Sequence, residues 1–587
     1  MEDKMINLTI DGIQVTVPEG TTILEAARKI NVDIPTLCFL KEIHELGDCR
    51  MCIVEVEGMR KPATSCIQKV SEGMVVHTHT KAIVDARKMV LDLILSNHNR
   101  DCLTCIRNGN CELQTLAQKY NMRDVKYNGA HTSKPDDVDD KSPSIVRDNS
   151  KCVLCHRCTS MCQKVQEIGA IETVERGFAS HVGTANGESL NDVDCTFCGQ
   201  CIEACPVAAL HEKDDTKKVW DAIHDSEKVV IAQTAPAVRV ALGEEFGNPI
   251  GTNVTGKMVT ALKRLGFDYA FDTNTGADIT IMEEANEFIE RIQNGGVLPM
   301  TTSCCPAWVR FAEKNYPDQL DHVSSCKAPH TMFGAIIKTY FAKKMNIDPS
   351  KIFVVSVMPC VAKKYEASRP EMEVDGQRDV DAVITTRELA RMIKQNDIEF
   401  NELEESNFDS PMGEATGAAA IFGVTGGVME AALRTAADVL EGRSIEAINY
   451  EQVRGLEGMK RATLTIAGKE VRILVAHGLA NARKVMEEIK SGNPSFDFAE
   501  VMACPGGCIN GGGQPIKSSK TRTKYDYKKL RTEQMYNIDE KSTFRKSHEN
   551  PVVKAMYEEY LGKPCGEEAH KLLHTHYHAQ NKYENAE

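Results

Sequence analysis

No stretch of this sequence stays apolar for the roughly 18 residues that crossing a bilayer requires, so a membrane-spanning helix is not expected. The opening MEDKMINLTI has neither a basic segment before an apolar core nor a twin arginine. No export signal is read there, and a cytoplasmic setting is expected. There is no block of basic residues and the formal charge is −14, which argues against nucleic acid or an anionic membrane surface as partner. Neither a G-x-G-x-x-G sequence nor a Walker loop occurs, so nothing points to a nucleotide bound by this chain. What is abundant is cysteine, with 22 among 587 residues. Disulfides are rare in a reducing compartment, and tight Cys-x2-Cys clusters favour metal ligation. The length exceeds what one core serves, so several domains are expected.

Residues 6–17 (INLTIDGIQVTV) alternate around Asp-Gly and predict a β-hairpin. A short helix to Lys29 follows, entered through Thr21 or Thr22 as N-cap. Residues 81–96 carry a helical apolar period, and 129–150, rich in Asp, Ser, Gly and Pro, read as a connecting loop. From about 228, apolar runs (VVIAQT, YAFDT, VLPMTT, KIFVVSVM, DAVITT, VRILVAH) alternate with helical stretches, the pattern of α/β layers with buried parallel strands.

Four sets of metal-ligand residues precede that region. Cys38, Cys49, Cys52 and Cys66 suit a tetrahedral zinc or a 2Fe-2S centre. The hairpin and helix before them resemble the ferredoxin-like domain that opens several hydrogenases and a respiratory complex I subunit, which favours 2Fe-2S. His98, Cys102, Cys105 and Cys111 suit Cys3His zinc or, by the same resemblance, a His-ligated 4Fe-4S cluster. Cys152, Cys155, Cys158 and Cys162 form a Cys-x2-Cys-x2-Cys-x3-Cys run that recurs as Cys195, Cys198, Cys201 and Cys205 before Pro206. This is the two-cluster ferredoxin spacing, in which the fourth cysteine of each run serves the other cluster. One cluster should take Cys152, Cys155, Cys158 and Cys205, the other Cys195, Cys198, Cys201 and Cys162.

Three further cysteine motifs lie far apart: TSCCPAW around Cys304 and Cys305, MPCVAKKYE around Cys360, and ACPGGCINGGGQP around Cys504 and Cys508. The first two close apolar strands, where open α/β sheets place their sites. Cys504 and Cys508 are four apart, so a helical turn is expected to put both sulfurs on one face. The glycines around them allow backbone to approach a bulky group closely.

These three motifs look like the signatures of the iron-only (FeFe) hydrogenases, and the resemblance extends over nearly the whole chain. It implies that Cys305, Cys360, Cys504 and Cys508 hold the cubane of an H-cluster, with Cys508 also bridging to a two-iron unit that carries CO, cyanide and an amine-bearing dithiolate. That unit is supplied by maturation proteins. By the same resemblance Cys304 exchanges protons with the dithiolate amine, and Glu284, Ser324, Glu287 and Arg291 continue the proton path. Glu284 and Glu287, three apart on a predicted helix, could face one channel. Lys363 matches the residue that hydrogen-bonds a cyanide. Ala235 and Pro236 match the wall near the other, and Met358 and Met502 match sulfurs packed around the two-iron unit. Pro505, Ala237 and His330 depart from the Arg, Ser and Gln of monomeric clostridial members. These departures look more like the catalytic subunits of multimeric NAD(P)-linked or electron-bifurcating hydrogenases.

The fold expected is multidomain α+β and α/β. A 2Fe-2S β-grasp domain spans 1–80, a His/Cys3 4Fe-4S domain 81–135, a two-cluster ferredoxin-like domain 136–218 and a two-lobed H-cluster domain 219–520. The segment 521–587 resembles the small-subunit segment that wraps family members. Its His570, His574, His576, His578 and Cys565 match no strong metal template. The function implied is reversible oxidation of H2, with electrons passing through one 2Fe-2S and three accessory 4Fe-4S clusters to ferredoxin and NAD(P) by way of flavin- and iron–sulfur-bearing partner subunits. The alternative is a sensory or non-catalytic iron–sulfur electron-transfer subunit.

Overall fold

The computed structural model describes residues 4–127, 137–445, 449–466 and 468–583. The boundary expected at 135/136 lies outside them. Strands β1 (Met5–Ile10) and β2 (Ile13–Pro18) pair antiparallel around Asp11-Gly12. Both turn residues have positive φ (47° and 80°), which is why Asp-Gly serves there. Helix α1 (Ile23–Lys29) starts from Thr22, whose hydroxyl accepts from the Glu25 amide while the Glu25 carboxylate accepts from the Thr22 amide. Strands β3 (Ile53–Val56), β4 (Ala63–Thr64) and β5 (Val75–His77) complete a five-stranded sheet in the order β2-β1-β5-β3-β4. Helices α2 (Lys81–Asn97) and α3 (Glu112–Lys119) follow.

The segment read as a loop over 129–150 differs where it is described. Strands β6 (Val138–Asp139) and β7 (Ile145–Asp148) join β8 (Leu210–Glu212) in an antiparallel sheet. The polar composition hid them because only Ile145 and Val146 supply an apolar pair to bury, and their partner strand lies beyond both cysteine runs.

The large region has two four-stranded sheets. In the first, β9 (Val229–Thr234), β10 (Tyr269–Asp272), β12 (Ile352–Met358) and β13 (Ala382–Thr385) run parallel in the order β10-β9-β12-β13. In the second, β11 (Met300–Thr301), β14 (Met459–Ile466), β15 (Lys469–His477) and β16 (Phe498–Met502) stand in the order β11-β16-β15-β14, parallel except for the β14–β15 hairpin. The parallel strands β9, β12, β13 and β16 are buried almost throughout, as continuous Val/Ile runs dictate. Helix α4 (Thr273–Asn294) leaves the end of β10, and α5 (Pro306–Asn315) and α6 (Ala362–Ser368) leave the cysteine motifs after β11 and β12. In the tail, α7 (Tyr527–Lys541) and α8 (Glu567–Leu573) bury Met535, Leu572 and Leu573 against this region.

Backbone contact joins the cluster-bearing part to the two sheets. A Cβ on Gly512 would lie 2.7 Å from Gly199 Cα, so only glycine fits on both sides. Arg387, buried, donates to the Glu212 carboxylate at 2.6 Å and to the carbonyls of Gln514 (2.6 Å) and Gly512 (2.8 Å).

Candidate active site

Four segments leave the carboxyl ends of β9, β11, β12 and β16 and converge on one cavity. Ala235, Pro236 and Ala237 follow β9, Cys304 and Cys305 follow β11, and Cys360 and Lys363 follow β12, while Met502, Cys504 and Cys508 come from the end of β16 and beyond. Met358, His330 and Phe422 complete the wall. Segments far apart in sequence, from Ala235 to Cys508, thus line one space, because both sheets point the same strand ends at it.

The Cys504–Cys508 segment is not the helical turn expected. Gly506 and Gly507 take φ of 90° and 96°, forming a turn that no L side chain follows cheaply. Both sulfurs still reach the cavity. A Cβ on Gly511 would sit 2.1 Å from the Pro359 carbonyl, so that glycine lets two backbone segments cross beside Cys360.

Burial pushes all four thiols of Cys305, Cys360, Cys504 and Cys508 upward, Cys360 to about 12, with neighbouring sulfurs adding to the effect at Cys360, Cys504 and Cys508. Four such thiolates are stable together only around a cationic core, and four cysteine sulfurs are the donor set of a 4Fe-4S cubane. The residues present therefore fit that group.

Cys304 is half-buried beside them, and its thiol is pushed well up by desolvation first and then by Glu284. Lys363 donates to the Cys304 carbonyl at 3.0 Å and to Glu366 Oε2 at 2.8 Å. Glu366 also meets His330 Nε2 at 2.6 Å, and Lys363 foremost, with His330, holds its carboxyl down at about 2 against the effect of burial. Sequence reasoning missed Glu366; the signal available was its place three residues after Lys363 on one helix.

On α4, Glu284 is fully buried and accepts from the Ser303 amide at 3.3 Å through Oε1, while Oε2 has no partner among the described residues. Burial, then the Glu287 charge, push its carboxyl up to about 8. Ser324 donates to Glu287 Oε2 at 2.7 Å, and Arg291 donates to Glu287 Oε1 at 2.7 Å. Burial works against ionising Glu287, but Arg291 and the Ser324 hydrogen bond hold it below the usual carboxylate range. Ser324, Glu287 and Arg291 are thus joined by hydrogen bonds, and Glu284 stands beside them, felt electrostatically by both Glu287 and the Cys304 thiol.

The accessory sets are also gathered. Cys152, Cys155, Cys158 and Cys205 line one small cavity, and Cys162, Cys195, Cys198 and Cys201 line another, the crossed pairing expected from the spacing. Cys38, Cys49, Cys52 and Cys66 are bunched: the Cys49 amide donates to Cys38 Sγ at 3.4 Å, and Cys52 Sγ lies 3.3 Å from Cys66 Sγ. His98 caps the C-terminus of α2, its ring buried and Nδ1 without a hydrogen-bond partner among the described residues. Cys102, Cys105 and Cys111 follow along the next loop, so this set is given by adjacency rather than by a shared cavity.

Comparison with known proteins agrees with this arrangement. Residues 228–512 match the iron only hydrogenase large subunit, C-terminal domain, and 525–580 the iron hydrogenase small subunit. Residues 3–81 match a 2Fe-2S iron-sulfur cluster binding domain, 87–126 the NADH-ubiquinone oxidoreductase-G iron-sulfur binding region, and 142–211 the ferredoxin-like domain of NADH-quinone oxidoreductase subunit 3. The NADP-reducing hydrogenase subunit HndD of Solidesulfovibrio fructosivorans is 49% identical, covering 98% of this chain and 99% of that one. Iron hydrogenase 1 of Clostridium pasteurianum is 46% identical over 98% of this chain and all of its own length. The solved structure of HydA1 from Chlamydomonas reinhardtii is 40% identical with a TM-score of 0.56, covering 62% of this chain and 99% of that one. The cofactors follow from these domains: one 2Fe-2S cluster, accessory 4Fe-4S clusters and an H-cluster. Two sheets that aim three cysteine motifs at one cavity, behind a train of iron–sulfur domains, place this chain in the iron-only (FeFe) hydrogenase family, as an enzyme that interconverts hydrogen with protons and electrons.

Proposed function

We propose that Cys305, Cys360, Cys504 and Cys508 hold the H-cluster in this cavity and that Cys304 carries protons to and from it. Bound there, the H-cluster supplies the site at which hydrogen is cleaved heterolytically or formed. Lys363, fixed by Glu366, would hold its ammonium group toward a cyanide of the bound cluster, and Ala235, Pro236, Met358 and Met502 would form the wall around its two-iron part. Protons travel through Cys304, Glu284, Ser324, Glu287 and Arg291. The observation that carries this reading is the single cavity shared by all four cubane cysteines, Cys304 and Lys363.

The accessory sets connect in space. The Cys504 thiol feels the Cys198 sulfur, and Cys158 feels Cys201. Buried Arg157 links the Cys155 site to the first set by donating to the Cys38 carbonyl at 3.3 Å. Arg107 donates to the Cys205 carbonyl at 3.4 Å from the loop of the His98 set. The cluster on Cys152, Cys155, Cys158 and Cys205 is therefore a junction: inward lies the second ferredoxin cluster and the cavity, outward lie the 2Fe-2S and His98 sites. Two outward branches suit exchange with more than one acceptor, namely ferredoxin and, through flavin-bearing partner subunits, NAD(P). The name of HndD as a subunit of an NADP-reducing hydrogenase supports that assignment.

The deciding experiment separates ligand from proton carrier at two adjacent residues. Cys305→Ala should prevent stable H-cluster assembly, erasing the CO and cyanide infrared bands. Cys304→Ala should keep those bands yet lose turnover by about a hundredfold or more, the scale of a lost acid–base partner. Normal bands with near-normal hydrogen uptake in Cys304→Ala would remove this residue from the mechanism.

A further inference from the structure

Of the 22 cysteines, the proposed cluster and proton-transfer roles use all but Cys326 and Cys565. Those two meet at one place. Cys326 Sγ is 3.7 Å from Glu287 Oε2, and Cys565 Sγ is 3.5 Å from the Glu283 carbonyl. Between them lies His574, at the end of α8, with ring nitrogens bonded to Ser325 Oγ (Nδ1, 2.8 Å) and Glu283 Oε2 (Nε2, 2.9 Å). Glu283 is fully buried on α4 and also accepts from the Tyr557 hydroxyl and, at 2.8 Å, from the Cys565 amide.

This network sets the tautomer of His574. Glu283 is surrounded by donors, so it accepts the Nε2 proton. Nδ1 is then left as the free base, facing the Ser325 hydroxyl. The backbone amide of the same Ser325 donates to Glu287 at 3.2 Å, and a His574 ring nitrogen, the Cys326 sulfur and a Glu287 oxygen all lie within 4.8 Å of one another. On the other side, the His574 and His570 ring centroids are 4.1 Å apart, and His570 is exposed.

We propose that His574 is a relay residue giving Glu287 a second proton exit, parallel to Arg291, through Ser325 and Cys326 on the inner side and His570 at the surface. The inference rests on the proton path proposed above and extends it at Glu287. In each passage the Cys326 thiol gives its proton to Nδ1, directly or through Ser325 Oγ, and is refilled from Glu287, while Nε2 gives up its proton to Glu283, its hydrogen-bond partner, from which it leaves to solvent beside His570. No electrons are exchanged, and ring rotation or passage of a proton in the reverse direction restores the starting tautomer. A carboxylate behind a histidine, steadying its orientation and the charge it acquires, is the arrangement that makes imidazole an effective proton carrier. Cys565, Glu283 and His574 also present three atoms within 4.8 Å that a zinc ion could take. A ligated nitrogen carries no proton, so the two uses exclude each other.

The test uses the matured full-length chain. His574→Gln keeps donor and acceptor but cannot relay. It should lower dye-linked hydrogen uptake by about threefold and raise the solvent isotope effect, with CO and cyanide bands unchanged. Combined with Arg291→Gln, it should cost far more than the product of the two single losses, because each exit covers for the other. Ser325→Ala leaves the His574–Glu283 bond in place and should show the same isotope signature; it decides the matter if His574→Gln fails to assemble. Turnover and isotope effect unchanged in both backgrounds would overturn the proposal, as would stoichiometric zinc bound at Cys565 and His574. Full turnover in Cys304→Ala would bring down trunk and branch together, whereas a dead Cys304→Ala beside an indifferent His574→Gln brings down the branch alone.

Discussion

Glu284 shows how a single residue is set for proton work by its surroundings. A free glutamate ionises near 4.3, but here burial, and then the negative Glu287 nearby, push the carboxyl up to about 8. At neutral pH it is the protonated member of a pair whose other member, Glu287, is ionised against Arg291. Their opposed protonation makes Glu284 the member that holds a proton and Glu287 the one that has released it, so a proton moves onto Glu287 only against the hold of Arg291. The sign for stability follows from proton binding. Between about 4.5 and 8 the folded chain holds a proton that the unfolded chain has released, so this residue's contribution to stability falls as pH rises through that window and is constant above it. Difference infrared spectroscopy should show a protonated carboxyl C=O band at pH 7 that fades as pH passes 8 and is missing in Glu284→Gln. A band already gone at pH 6 would sink the assignment.

At the scale of elements, α2 and the loop after it carry a second prediction. On the proposed assignment His98 contributes a neutral imidazole, where a thiolate would add negative charge and lower the cluster's potential. His98→Cys should therefore lower that potential by on the order of 100 mV, judged from the effect of imidazole ligands in other iron–sulfur centres. A redox titration followed by electron paramagnetic resonance reads the shift, and an unmoved potential would exclude His98 as ligand. Elements built on local signals are legible in the sequence: the Asp11-Gly12 hairpin, the Thr22 cap, α2 and the Val/Ile-rich strands all stand where residue pattern puts them. The crossed ferredoxin sets are legible too, because their spacing is itself the geometry. What is not legible depends on partners distant in sequence. β6 and β7 need β8, and the turn from Cys504 to Cys508 follows its two glycines rather than helical spacing. Glu366 and His574 escape reading as site residues because a charge or a ring in a polar stretch acquires meaning only from what the fold lays against it.

For the molecule as a whole, the wiring sets what the isolated chain can do. On the proposed assignment the cavity sits at one end of a line of cluster sites that forks at the Cys152, Cys155, Cys158 and Cys205 set toward two outer sites. Nowhere in the sequence is there a G-x-G-x-x-G or Walker loop, the backbone devices by which dinucleotides are commonly cradled. Hydride exchange with a nicotinamide needs a group that handles two electrons together, whereas iron–sulfur clusters pass electrons singly, so a flavin must stand between. The matured single chain should therefore reduce one-electron dyes with hydrogen and leave NAD and NADP unreduced. Adding the co-purifying flavin-bearing subunits should restore NAD(P) reduction. It should do so through one outer branch, so that removing residues 1–80 or disrupting the His98 site selectively abolishes transfer to one acceptor while dye reduction persists. Vigorous NAD reduction by the pure chain would overturn this division of labour, and equal loss of both acceptors from either lesion would show that the fork does not sort its electrons.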